Sequence, residues 1–243
     1  MRPGVSIGLG SLAAAVFGLT GQVSAGIAVI TLWSLGFVFV QAQRFINCLY
    51  RSPDLNAFWL LPIDDSTIFQ TQLRKALRGT LWFLFDLICA YGAFALQEDI
   101  SPYVWIVAVA FAVLTWLHIL ALALLALVYL RRFPFELVSG MFYLGTLALF
   151  LCRSFLEKPV LAFLRDYGSS LNLLLPSGWP ATLFCVFLPG NHWLFIILVV
   201  PIAITLLTIR NSLARLKGNY QFLEPITSEP RDLPLETAEH RPT

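Results

Sequence analysis

Asp86, His118 and Glu136 stand out from their surroundings, because each interrupts or borders a long apolar run. An ionisable side chain inside a membrane-crossing segment is costly, so it marks a polar pathway, a proton relay or a paired packing contact. Asp86 lies seven residues beyond Gly79, about 10 Å at the helical rise. Its carboxylate can line a polar path, or reach back to an arginine near the boundary. His118 falls near the middle of its run, where an imidazole ties helices together or relays protons. Glu136 follows Arg131 and Arg132 closely and is expected at the surface. These groups do not make a catalytic set. HExxH, GxSxG and paired aspartates within one span are absent, and three histidines are too few for a histidine-rich metal site. No catalytic, cofactor-binding or metal-ligating residues are assigned. Cys48, Cys89, Cys152 and Cys185 form no CxxC pair, and cysteines within or beside apolar runs act as small hydrophobes.

A second kind of chemistry sits in residues 51–79, RSPDLNAFWLLPIDDSTIFQTQLRKALRG. Pro62 ends an irregular piece, after which Asp64, Asp65 and Ser66 offer N-cap oxygens for a helix. Acidic groups at its start and Arg74, Lys75 and Arg78 at its end complement the helix dipole. Gly79 is placed to close it. Ile68, Phe69, Leu73, Ala76 and Leu77 recur every three to four residues and share one face. Gln70, Gln72 and the basic residues occupy the rest. Such a helix belongs at a membrane interface. Phe58, Trp59, Leu60 and Leu61 ahead of it form an apolar knot at headgroup depth, where tryptophan is favoured. The segment is either a plain interfacial linker or a docking element for a soluble partner.

The elements that carry these residues follow from composition. Hydrophobic residues make up 58% of the 243-residue chain, charged residues 12%, and mean hydropathy is +0.77. A soluble domain carries about 25% charged residues. Recurring apolar runs of helix-spanning length point to an all-α, polytopic membrane protein with about six transmembrane helices and an amphipathic interfacial helix in the first cytoplasmic loop. A barrel would show shorter segments of alternating polarity.

The spans are expected at 5–19, 23–42, 80–96, 103–130, 135–151 and 181–209. The polar break at Thr20–Gln22 predicts a tight hairpin between the first two. Residues 43–79 form a cytoplasmic loop, and 153–180 an extracytoplasmic segment. The last span is interrupted by LPGNHW, so it is one kinked helix or a re-entrant piece followed by a helix from about Trp193. Residues 1–222 form the membrane domain, and 223–243, rich in proline and charge, a disordered cytoplasmic tail. Basic residues set the orientation. With both termini cytoplasmic, the inner side holds Arg2, Arg44, Arg51, Arg74, Lys75, Arg78, Arg131, Arg132, Arg210, Arg215 and Lys217, against Arg153, Lys158 and Arg165 outside. The rival reading of the first span is a signal peptide cleaved after Ala25. It keeps that orientation with one span fewer. The net charge of +2 and the lack of basic blocks argue against nucleic acid.

Ser52-Pro53-Asp54-Leu55, then Leu60-Leu61-Pro62, then the helix Ile68 to Leu77 resemble the first cytoplasmic loop of type-2 ABC exporter permeases. LLLPSGWPATLF at 173–184 is similar to that family's extracytoplasmic Pro-x-x-Trp segment before the final span, with Pro176, Gly178 and Trp179 matching. The resemblance implies a permease subunit in a bacterial inner membrane, with its loop docked on a separate ATPase subunit through Pro53, Asp54, Leu61, Pro62, Asp64, Asp65, Gln70, Arg74, Lys75 and Arg78. It also implies a second permease, identical or related, to complete the pathway, and ATP on the partner, since GxxxxGK[ST] is absent here. Asp86 and His118 are the candidate polar residues within the membrane. Uncharged spans favour lipid-like, hydrophobic or peptide cargo. An integral membrane scaffold or assembly factor without transport fits the composition equally, and an intramembrane enzyme lacks its motifs.

Overall fold

The computed structural model describes residues 4–52, 54–55, 64–97, 103–130, 133–151, 153–187 and 192–220. Pro53, the knot Phe58–Leu61, Pro62, the Arg131–Arg132 pair and the tail 223–243 lie outside the described residues. What is described is helical throughout, with no strand.

Helix α1 (Gly4–Thr20) and α2 (Val23–Tyr50) form the hairpin that the polar break predicts. Gly21 turns the chain at φ +66°, a left-handed conformation that glycine adopts without steric cost. Its N–H donates to Phe17 O at 2.8 Å, and the Thr20 hydroxyl donates to Val16 O at 2.7 Å. These bonds satisfy carbonyls that a helix end leaves open. Helix α2 continues past the expected end at residue 42 because Phe45 and Leu49 remain buried, and a helix satisfies its own backbone on either side of a membrane boundary.

Helix α3 (Asp65–Arg78) is followed after Gly79 and Thr80 by α4 (Leu81–Gln97). Helix α5 (Tyr103–Tyr129) leads through Pro134 into α6 (Phe135–Leu151). Helix α7 (Arg153–Leu174) carries Pro159 within it. A short 3-10 turn at Pro176–Gly178 joins it to α8 (Trp179–Phe187), and α9 (His192–Tyr220) closes the order. The LPGNHW interruption falls at 188–193, of which 188–191 lie outside the described residues.

Among the described residues four stretches are long and apolar enough to cross a bilayer, as an integral membrane protein requires: Val23–Tyr50, Asp65–Phe94 (α3 with most of α4), Trp105–Tyr129 and Ile196–Gly218. Helices α1 and α6 have 17 residues each, about 26 Å against a hydrocarbon core of about 30 Å.

Helix α2 is the axis of the bundle and packs on α1, α3, α5, α6, α7 and α8. It can approach them closely because of small residues. A Cβ on Gly26 would collide with the Phe94 ring of α4 and lie 3.0 Å from Ala13 O of α1, and one on Gly36 would collide with the Phe142 ring of α6. Small residues at such crossings let helix backbones meet where lipid offers no hydrophobic drive. Phe37 of α2 stacks on Phe83 of α4 with ring centroids 3.7 Å apart.

Candidate functional site

Helix α3 buries the face that its spacing specifies. Ile68, Phe69 and Ala76 are buried and Leu73 and Leu77 pack partly against the core. Gln72, assigned to the polar remainder by its type, is buried as well. Gln70, Arg74, Lys75 and Arg78 remain exposed. The capping expectation needs correction. Asp64 holds the N-cap position with extended backbone, but its side chain makes no cap hydrogen bond. Its main-chain carbonyl accepts instead from Thr67 N (2.8 Å) and Ile68 N (3.2 Å). Asp65 lies in the first helical turn, where a carboxylate suits the dipole without a direct bond.

This end of the bundle is wired by charged groups. Lys75 Nζ lies 2.6 Å from Asp54 Oδ2, which ties the loop lead to α3. Hydrogen bonding from Lys75, then its charge, holds the Asp54 carboxyl below the usual carboxylate range. Both side chains are about half exposed, so the pair orients the loop more than it stabilises the fold. Arg44 of α2 donates to Gly79 O, the carbonyl at the end of α3. Its guanidinium lies where a Gly79 Cβ would stand, which is a second reason for glycine there. Arg51 pairs with Glu136, and Gln43 Nε2 also donates to Glu136 Oε1 at 3.0 Å. Glu136 is thus a surface group that links α2 to α6. Arg74 and Arg78 differ from these cations: among the described residues neither has an acidic partner.

A buried polar seam occupies the other half of the molecule. Gly168 of α7 packs on the backbone of Ser24 and Ala25. One turn further, Asn172 Nδ2 donates to Ser24 O (2.9 Å) and Asn172 Oδ1 accepts from the Thr31 hydroxyl (2.8 Å). Ser177 Oγ donates to Thr31 O at 3.2 Å. The last turns of α7 therefore run down beside α2 from Ser24 to Thr31, and the chain reverses there. His118 of α5 meets the reversal. Its Nε2–H donates to Pro176 O at 2.9 Å, because a carbonyl can only accept. The ring is fully buried, stands 6.0 Å from the Trp179 ring, and leaves Nδ1 without a partner among the described residues. Trp179 Nε1 donates to Leu173 O at 2.9 Å. The Thr182 hydroxyl reaches Gly178 O (2.9 Å) and Asn172 O (3.1 Å). Gly178 has no room for more: a Cβ there would come within 2.6 Å of the Thr31 side chain.

The chain thus brings Pro176 and Trp179 onto His118 and Gly178 onto Thr31, whereas Asp86 lies buried in α4 and is engaged by neighbouring groups. Residue types alone missed Thr31, Asn172, Ser177 and Thr182; only Thr31 and Thr182 carried a signal, polarity within otherwise apolar helices. Of the proposed docking residues, Asp54, Asp64, Asp65, Gln70, Arg74, Lys75 and Arg78 are described, whereas Pro53, Leu61 and Pro62 are not. Among the described residues no three His, Cys, Asp or Glu side chains gather as a metal site needs. No protein-family model matches the chain, and neither curated proteins nor solved structures give a significant match.

Proposed function

We propose that this chain is the membrane-spanning permease subunit of an ABC transporter, an exporter driven by a separate ATPase subunit that holds the ATP. In this reading α1, α2, α4, α5, α6 and α9 are six crossings with both termini cytoplasmic, in a bacterial inner membrane. Helix α3 lies at the inner interface, and α7 and α8 dip back from the outer side. A second permease copy, or a related chain, completes the pathway.

The observation that carries the reading is the attachment of α3. Its exposed polar face, with Gln70, Arg74 and Arg78, is free for a partner, while its far end is bound to α2 through Arg44 and Gly79 O and runs directly into α4. A push on α3 therefore reaches two long helices through stiff elements. That is what a transmission element between an ATP-driven subunit and a membrane bundle must do. The loop motif supplies the choice of partner.

Purification in mild detergent is expected to bring down an ATP-binding subunit. Charge reversal at Arg74 and Lys75 together should weaken that complex while the chain still folds. Recovery of the folded chain without any ATPase would overturn the proposal and leave the scaffold reading.

A further inference from the structure

We infer that Arg74 and Arg78 form a binding site for the headgroup of an anionic phospholipid. The two side chains stand one turn apart on α3 and line, with Leu77, Leu81 and Trp116, a groove of about 240 Å³. Among the described residues neither guanidinium is ion-paired, in contrast to Arg51, Lys75 and Arg165. The rest of the lining is apolar: Trp116 Nε1 already donates to Thr80 Oγ1 at 3.1 Å, so its indole adds only ring surface. Exposed basic residues at a membrane surface attract anionic headgroups, by about 1 kcal/mol per residue, a factor of about five. Arginine meets phosphate oxygens through two parallel N–H donors, which suits a phosphodiester.

The surroundings favour a lipid over a soluble anion. Beyond the groove, Leu81, Trp82 and Phe85 of α4 are about half exposed. They continue an apolar surface away from the cationic rim, on which an acyl chain can lie. A soluble phosphate compound would leave that surface unused. The inference does not depend on the permease reading: it concerns the isolated chain in its bilayer, where no ATPase competes for Arg74 and Arg78.

Native mass spectrometry of the purified full chain, incubated with equal amounts of phosphatidylglycerol and phosphatidylcholine, tests it. The wild type is expected to retain phosphatidylglycerol at least about fivefold over phosphatidylcholine, the attraction of one basic residue for anionic lipid. Arg74→Gln/Arg78→Gln should lose that preference. Arg165→Gln, which removes a cation paired with Asp166 on α7, should keep it. Arg74→Lys/Arg78→Lys should keep part of it, which separates loss of charge from loss of fold. Equal retention of the two lipids by the wild type, or an unchanged preference in the double glutamine variant with a normal melting profile, would overturn the assignment. So would equal loss in the lysine and glutamine variants. Because no ATPase is present, failure here leaves the transport proposal standing, and failure of the pull-down leaves this one standing.

Discussion

Asn172 and His118 carry more of the packing than their single hydrogen bonds suggest. Interhelical hydrogen bonds in membranes average about 0.6 kcal/mol, but a carbonyl left unpaired in a dry interior costs about 1–3 kcal/mol. Asn172 serves both Ser24 O and the Thr31 hydroxyl, so Asn172→Ala is expected to destabilise more than Thr31→Ala. His118→Ala removes one of two donors to Pro176 O, which keeps the Trp179 N–H, and should cost about 0.5–1.5 kcal/mol for the lost bond. Unfolding of the three variants in micelles by titration with a denaturing detergent gives the ranking. A smaller loss for Asn172→Ala than for Thr31→Ala would contradict the seam. Gly178→Ala tests the same place sterically, since its Cβ would meet Thr31 at 2.6 Å and Asn172 O at 2.9 Å. Of these residues the sequence singled out His118 by its charge and Gly178 by its motif. It could not mark Asn172, because an asparagine near a proline turn reads as a loop residue until α2 is placed beside it.

Among the elements, the α1–α2 hairpin and α3 make opposite lessons. The hairpin was legible because a polar TGQ between apolar runs has few outcomes, and Gly21 alone supplies the left-handed residue. Gly21→Ala should cost about 1–2 kcal/mol from that conformation. Gly140→Ala, at a helical site with open space around its Cβ, should be neutral or stabilising, since alanine is the better helix former. Comparison of the two melting temperatures checks this. Helix α3 was legible in its buried face but not in its start, because the Asp64 carbonyl, not its carboxylate, closes the first turn. Its tether to Asp54 is pH-sensitive. A carboxyl held below 3.8 in the folded chain contributes above its unfolded pKa and loses that contribution as pH falls through the lowered value. Hydrogen exchange in the last turn of α3, around Lys75, should therefore stay constant from about pH 8 to pH 5 and quicken below about pH 4, after correction for intrinsic rates. Asp54→Asn should remove this acid step.

For the whole molecule, orientation is the property that the proposals share. Ser170 is exposed on α7, and the proposed orientation, argued from the basic-residue count, has α7 outside. A cysteine introduced at Ser170 is expected to react with a membrane-impermeant maleimide from the outer face of intact cells. Labelling only after permeabilisation would invert the arrangement, and α3 could not then meet a cytoplasmic ATPase.

What the sequence determined by itself is the helical membrane class, the hairpin and the buried face of α3. These rest on local periodicity and on composition, which need no knowledge of neighbours. The tertiary structure decided which polar groups meet. It set Pro176 on His118, Asn172 between Ser24 and Thr31, and Lys75 on Asp54. It also separated Arg74 and Arg78 from any acidic partner among the described residues. The partners in the first two contacts lie 58 to 148 residues apart in the chain. A hydrogen bond at that separation depends on the crossing of helices, which is fixed by the small residues at their contacts rather than by the polar residues themselves.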